Sequence, residues 1–152
     1  MTSFTGVLDG LCAQVEQDEA LQTFCKEKLG TEIRVRAIFA DPDGHIERLV
    51  PMILVTRAGM SPTSASRPEG SHEVNLNCCF KGGDFGIRDD AARVQIGLEE
   101  RVVDAVMKDP GLGGLALGTV FLGTEACQGE FWPYLFTTIK FSINHRRSCS
   151  YV

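Results

Sequence analysis

Residues 132–145 read WPYLFTTIKFSINH and contain the clearest strand pattern of the chain. Apolar residues or Thr occupy every second position from Leu135 to Ile143, and mostly polar residues lie between them. Alternation of this kind predicts a β-strand with one face on a core and the other toward solvent. The predicted core positions are Leu135, Thr137, Ile139, Phe141 and Ile143, and the outer positions are Tyr134, Thr138, Lys140, Ser142 and Asn144.

Four earlier stretches also predict strands. They begin near Ile33, Val50, Glu73 and Leu115. The second, residues 50–56, is almost continuously apolar, which is typical of a central strand covered on both faces. The third alternates, with Val74, Leu76, Cys78 and Phe80 predicted inward and Glu73, Asn75, Asn77 and Cys79 outward. Residues 41–44 (DPDG) predict a turn, and the Ser-, Pro- and Gly-rich residues 59–71 predict a long loop.

Helical periodicity appears in three places. Apolar residues recur at helical spacing from Phe4 to Val15, and a second helical stripe starts at Asp18 and ends at Gly30. The phase of the stripe slips between the two, which predicts a break near Asp18. The third helix covers residues 89–108 (DDAARVQIGLEERVVDAVMK), with Asp89 or Asp90 as its N-cap.

The third helix has more apolar surface than one sheet face covers. One stripe contains Ala91, Val94, Leu98, Val102 and Ala105. A second stripe contains Ala92, Ile96, Val103 and Met107, displaced from the first by more than about 90° around the helix axis. Either the N-terminal helices or another subunit covers this second stripe, and its four residues are the candidate subunit interface.

The order of predicted elements is α-α-β-β-β-α-β-β. It predicts an α+β fold, with a mainly antiparallel sheet of about four to five strands packed by an N-terminal helical segment and one long helix. The 152 residues fit a single domain, 1–152, and a hydrophobic content of 43% predicts a folded chain.

Charge and cysteine placement exclude several function classes. The net charge of −5 argues against specific nucleic-acid binding, because phosphate contacts need a surplus of Lys and Arg. No apolar run is long enough for a membrane span, and residues 1–12 lack the pattern of a secretory signal, so we expect the chain to remain in the compartment where it is made. The six cysteines have no chelating spacing and are expected to be reduced core residues: Cys12, Cys25, Cys78, Cys79, Cys127 and Cys149.

No catalytic constellation emerges from the polar residues. His45, His72 and His145 lack metal-ligand spacing and are interpreted as surface histidines. The glycines of residues 111–116 loosely match a dinucleotide motif, but they follow a helix and lead into a strand, which favours a tight turn. The arginine pairs, Arg34 with Arg36 and Arg146 with Arg147, are interpreted as solvated faces. We therefore expect no enzyme activity, no metal and no cofactor.

The stretch from Val50 to Arg147 resembles the tail terminator and tail-completion proteins of long-tailed bacteriophages and prophages. The resemblance lies in a Pro-led apolar strand at 50–55, a polar loop, a second strand at 74–80, the amphipathic helix 89–108 with its Asp109–Leu115 ending, and the aromatic-rich strand 132–145. It implies a structural subunit of the virion tail, made in the host cytoplasm. Such a subunit forms a homo-oligomeric ring, expected to be a hexamer. The ring caps the tail tube protein, ends tube growth and joins the head–tail connector protein.

Two alternatives remain open at this point. One is another head–tail joining or neck protein, which the sequence does not distinguish from a terminator. The other belongs to a different class, a small ligand-binding or enzymatic α+β domain. It predicts polar side chains converging in a concave pocket.

Overall fold

A computed structural model describes residues 3–37, 50–62, 69–82, 88–127 and 131–146. It has two N-terminal helices, α1 (Phe4–Glu16) and α2 (Glu19–Leu29), and three strands, β1 (Arg34–Ala37), β2 (Met52–Pro62) and β3 (Glu69–Lys81). The long helix α3 (Arg88–Met107) follows, then a 3-10 turn (Leu112–Gly114) and the strands β4 (Gly118–Cys127) and β5 (Tyr134–Arg146). The predicted order of elements and the α+β class are confirmed.

The five strands form one sheet in the order β1-β2-β3-β5-β4. Only the β1–β2 pair is parallel; the other three pairs are antiparallel. The helices pack on one face, with α1 against β1, and α3 against β4 and β5, while α2 contacts α3. The core lies between the two layers and contains the predicted inward residues of β3 and β5. No helix of the described residues is both long and apolar enough to cross a membrane.

Local capping explains the helix boundaries. The break between α1 and α2 falls where predicted, because Asp18 Oδ2 accepts a hydrogen bond from the Leu21 backbone N–H at 2.9 Å and caps α2. Gly30 ends α2 with a φ of 79°, a left-handed conformation that glycine adopts without strain. The N-cap prediction for α3 is wrong: the helix begins at Arg88, so Asp89 and Asp90 belong to its first turn.

Three strand predictions need correction. Residues 59–62 and 69–71 are not loop: Ser61 pairs with Ser71, since the β2–β3 ladder continues past the apolar positions and β5 supports β3 from its other side. The β2 strand is internal to the sheet, but helices cover only one face, so Leu54 is half-buried. Cys79 faces away from the helices yet is only 3% exposed. The predicted turn 41–44, the centre of the loop (63–68), His45, Arg147 and Cys149 lie outside the described residues.

Candidate assembly surface

An apolar row of side chains lies exposed along β4. Among the described strands, β4 is at the edge of the sheet and has β5 as its one neighbour. The exposed fractions are 54% for Val120, 41% for Phe121 and 52% for Leu122, and Leu117 just before the strand is 59% exposed. An exposed apolar edge strand presents unpaired backbone groups and a hydrophobic surface together, which favours contact with another chain.

A bulge in β4 brings three consecutive apolar residues to the surface. Phe121 pairs with Phe141 and Gly123 pairs with Lys140, so Leu122 is the extra residue. Gly123 has a φ of 138°, which residues with a Cβ rarely adopt. The ring of Phe121 lies 5.7 Å from the fully buried ring of Phe141, so one side of Phe121 rests on the core and the rest is exposed. This packing reduces the side-chain entropy that Phe121 would lose on binding.

The opposite edge of the sheet is closed. The side-chain amide of Gln22 donates to the Ile33 carbonyl and accepts from the Ile33 N–H, both at 2.9 Å, just before β1. The Val35 N–H donates to Glu16 Oε2 at 3.2 Å. The outward side chains of β1 are the exposed Arg34 and Arg36. In the part of the chain that the structure describes, the sheet therefore has one blocked, basic edge and one open, apolar edge.

Three of the four predicted interface residues lie on the flank of α3 that faces away from α2, whereas Met107 lines a groove with Asp18 and Ala20 at the start of α2. Gly97 contacts Phe24 of α2, and Arg101 lies over the same ring at 4.1 Å. At about 100° per residue, Ala92, Ile96 and Val103 lie on the other side of the helix. Since α3 packs on β4 and β5, this flank lies toward the β4 edge.

The four stripe residues differ in burial. Ile96 is 50% exposed and Ala92 is half-buried. Val103 and Met107 are partly buried against the core of the chain itself. The helix thus exposes less apolar surface to solvent than the sequence indicates. The interface role of the stripe stays a prediction.

Two of the three histidines are buried, so the surface interpretation is wrong for them. His72 is 3% exposed and His145 is 5% exposed. Both lie next to Phe4 of α1, whose ring stacks on His72 with centroids 3.5 Å apart. Among the described residues, no group of three or more His, Cys, Asp or Glu side chains is placed to hold a metal ion.

The prediction of buried, reduced cysteines is confirmed for four of the five described thiols and is wrong for Cys127. Cys12, Cys25, Cys78 and Cys79 are buried free thiols, and Cys127 is half-buried. Burial is the main cause that raises the pKa of Cys12 to about 11 and the pKa of Cys25 and Cys79 to about 12. Burial also raises the pKa of Cys78 far above its usual range. Thiols held in the neutral form are poor nucleophiles and poor metal ligands.

The remaining sequence signals are structural. The glycine motif forms the predicted tight turn, with φ values of 70° at Gly113 and 91° at Gly114. Arg146 on β5 does not lie beside Arg34 and Arg36, because β2 and β3 separate β5 from β1. The β4 surface was missed in the sequence. Its signal was the three consecutive apolar residues at 120–122, which interrupt the alternation expected of a half-buried strand.

Comparison with known proteins gives a likeness of fold. No family model matches the chain, and no curated protein matches it. A solved structure described as the virion of a native gene transfer agent (GTA) particle contains a similar chain, with a TM-score of 0.55 and 14% sequence identity. The similarity covers 95% of this chain and 98% of that chain. The two chains therefore have a similar fold over most of their lengths.

Proposed function

We propose that this protein is a structural subunit of a phage-type particle, with no enzyme activity and no cofactor. The observation that carries the proposal is the end-to-end fold similarity to a chain of a gene transfer agent virion. The class of protein is therefore one that functions by assembling with other virion proteins.

Within that class, we propose a ring of identical subunits, a hexamer, that caps the tail tube. The ring would end tube growth and present the surface that joins the head connector. A ring forms when one patch on each subunit binds a different patch on the next subunit and the rotation closes. The two unlike edges of the sheet, one open and apolar and the other blocked and basic, favour such an arrangement over a symmetric dimer.

The apolar row on β4 is the stronger physical support for self-association. The sequence predicts the subunit interface on the second stripe of α3, but Val103 and Met107 of that stripe pack partly on the core of the same chain. The row at Val120–Leu122 is exposed and belongs to an edge strand.

Electron microscopy of the purified full-length chain tests the ring directly. We expect ring-shaped particles at high protein concentration, and a sedimentation coefficient that rises with concentration. Tail tubes mixed with the protein should carry it at one end only. A chain that remains monomeric at every concentration and does not bind tube ends would contradict the proposal.

Antibody labelling of intact particles tests where in the particle the protein lies. Gold-labelled antibody at the junction of tube and head supports the cap. Label at the distal tip or along the tube would assign the chain to a different structural role in the particle.

A further inference from the structure

We propose that the subunit contact joins the β4 edge of one chain to the β1 edge of a second copy, with Glu125 of the first facing Arg36 of the second. The proposal rests on the self-assembly proposed above and identifies the surfaces that perform it. It is carried by the register of the sheet and by the unlike charge of its two edges.

Glu125 and Arg36 lie at opposite ends of one row across the sheet. Thr138 of β5 is the register partner of Glu125 on one side and of Asn77 on the other. Asn77 pairs with Leu54 of β2, which pairs with Arg36 of β1. Directly opposed residues of neighbouring strands project from the same face of a sheet. The Cβ atoms of both residues therefore project from the face without helices, at the same level along the strands, and the Arg36 guanidinium turns back at the sheet edge to reach Glu16.

Hydrogen bonds hold this row together. Asn77 Nδ2 donates to the Leu54 carbonyl at 3.0 Å, and the Thr138 hydroxyl donates to Asn77 Oδ1 at 3.0 Å. The sheet thus fixes the positions of the two edges relative to each other. Their charged groups have a defined spacing and height even though each side chain is exposed.

Glu125 and Arg36 lie at the same level along the strands, which is the arrangement that a closed ring requires. In a ring with rotational symmetry, a point on one subunit meets its neighbour at the same height along the axis, and any offset produces a helical filament. Sheets placed side by side with matched rows bring Glu125 next to Arg36 with no offset. The strands then run roughly along the ring axis.

The Glu125 carboxylate and the Arg36 guanidinium can each form one more ionic contact. The Glu125 side chain is 73% exposed and its Oε1 accepts from Lys140 at 2.8 Å. The Arg36 side chain is 59% exposed and its Nη1 lies 2.6 Å from Glu16 Oε2. A carboxylate has a second oxygen and a guanidinium has five N–H donors, so an added contact does not require either local pair to break.

The chemistry of the β1 edge favours side-chain docking over strand pairing. Glu16 and Gln22 occupy backbone groups at and just before β1, so a neighbouring strand cannot add there without displacing them. The exposed Arg34 and Arg36 offer charge at the tip and aliphatic stems below it. The aliphatic parts of Arg34 and Arg36 can pack on the apolar residues of β4, while their guanidinium groups face the Glu125 carboxylate.

Two charge reversals, studied alone and mixed, test this contact. Glu125→Arg places Arg against Arg at every subunit contact, and Arg36→Glu places Glu against Glu. Each variant alone should raise the dissociation constant of the contact about tenfold or more. In an equimolar mixture every contact between unlike variants pairs an Arg with a Glu, so assembly should recover to near the wild-type level, with the two variants alternating. Sedimentation velocity gives the constants, and circular dichroism checks that each variant is folded.

A matched control distinguishes failure of the proposed edge contact from failure of ring assembly. Glu27→Arg, the same charge change at an exposed position on α2, should assemble as the wild type does. If the wild type assembles and both edge variants assemble equally well, or the mixture fails to recover, the edge-to-edge contact is wrong and the ring stands. If the wild type does not assemble at all, the proposed function fails and this contact fails with it.

Discussion

The ring of Phe4, in the first turn of α1, stacks on the imidazole of His72 in β3, with centroids 3.5 Å apart and ring planes 9° apart. The imidazole of His145 in the neighbouring strand β5 lies 5.7 Å from Phe4 and 6.0 Å from His72. The three rings form one aromatic group between the helical layer and the sheet. Phe4 therefore fixes the start of α1, which would otherwise be free to fray at the chain terminus.

Phe4→Ala should lower the free energy of unfolding by about 2 kcal/mol, because the substitution removes a partly buried ring and its stacking contact. Urea denaturation followed by circular dichroism measures the loss. Phe131→Ala is the matched control. Its ring is 56% exposed and has one edge-on aromatic neighbour, so a loss of about 1 kcal/mol or less is expected. Equal losses in the two variants would show that Phe4 is no special anchor.

Gly97→Ala should destabilise the protein although alanine is the better helix former. The added Cβ would lie 2.8 Å from Cζ of Phe24, closer than carbon atoms pack, so the Phe24 ring would have to leave its place or α2 and α3 would have to move apart. Propensity alone would gain about 1 kcal/mol, and we expect the clash to reverse this to a net loss of about 1 kcal/mol. Thermal unfolding of Gly97→Ala, of Phe24→Leu and of the double variant forms the test. The loss should shrink in the Phe24→Leu background, and a more stable Gly97→Ala in the wild-type background would exclude the close contact.

Gln14 of α1 should stabilise the C-terminal end of α3. Its side-chain Nε2 lies 3.1 Å from the Ala105 carbonyl, 2.9 Å from that of Val106 and 3.1 Å from that of Asp109. The last carbonyls of a helix lack intrahelical partners, so this amide replaces water there. Gln14→Leu should cost about 1 kcal/mol and should speed amide hydrogen exchange at residues 105–109. Gln17→Leu, at an exposed position three residues later, should change neither quantity measurably.

Local periodicity was sufficient for the elements of this fold. The stripe of α1, the cap at Asp18 and the alternation from Leu135 to Ile143 each depend on residues close in sequence, and the structure has them as predicted. Strand extent was less predictable at residues 59–62 and 69–71, because main-chain pairing with β5 on the far side of β3 carries the ladder through polar residues.

Strand order and burial of polar rings depend on distant parts of the chain. The residues near Val120 do not indicate that β4 is an edge strand, because that position follows from the pairing of β5 with β3 on its other side. The burial of His72 depends on Phe4, which is far away in sequence. For the same reason the excess apolar surface was assigned to α3, where Val103 and Met107 are in fact partly covered, and was missed on β4.

Alkaline pH should destabilise the protein through its buried thiols. The usual pKa of a thiol is about 9.0, and burial raises that of Cys25 to about 12. Above pH 9 the unfolded chain releases the proton while the folded chain retains it, so the free energy of unfolding falls as pH rises from about 9 toward 12. Below pH 9 both states hold the proton and this group contributes no pH dependence.

The Cys25→Ala variant isolates this effect from other groups that titrate at alkaline pH. Urea midpoints measured at pH 7, 8.5, 10 and 10.5 should fall less steeply for the variant than for the wild type. The difference in slope above pH 9 should approach about 1.4 kcal/mol per pH unit, the value for one proton. Parallel pH profiles would mean that Cys25 ionises as readily in the folded chain as in the unfolded chain.

Val120 and Leu122 of the apolar row on β4 should determine self-association while contributing little to folding. Val120 and Leu122 are each more than half exposed, so replacing them by lysine is expected to change the free energy of unfolding by about 0.5 kcal/mol or less. Lysine on an edge strand keeps other chains away, because its charge would have to be desolvated in a contact. Val120→Lys and Leu122→Lys should each raise the concentration needed for assembly at least about tenfold, measured by sedimentation velocity.

Two further variants distinguish loss of contact from loss of strand structure. Val120→Thr retains the β-branched shape and adds a polar group, so it should weaken assembly less than Val120→Lys does. Thr23→Lys adds the same charge at an exposed position on α2 and should assemble as the wild type does. Ile96→Lys then locates the boundary of the surface: weaker assembly extends the contact from β4 onto the flank of α3, and unchanged assembly confines it to the strand. Lysine variants on β4 that assemble normally would move the contact to another face of the molecule altogether.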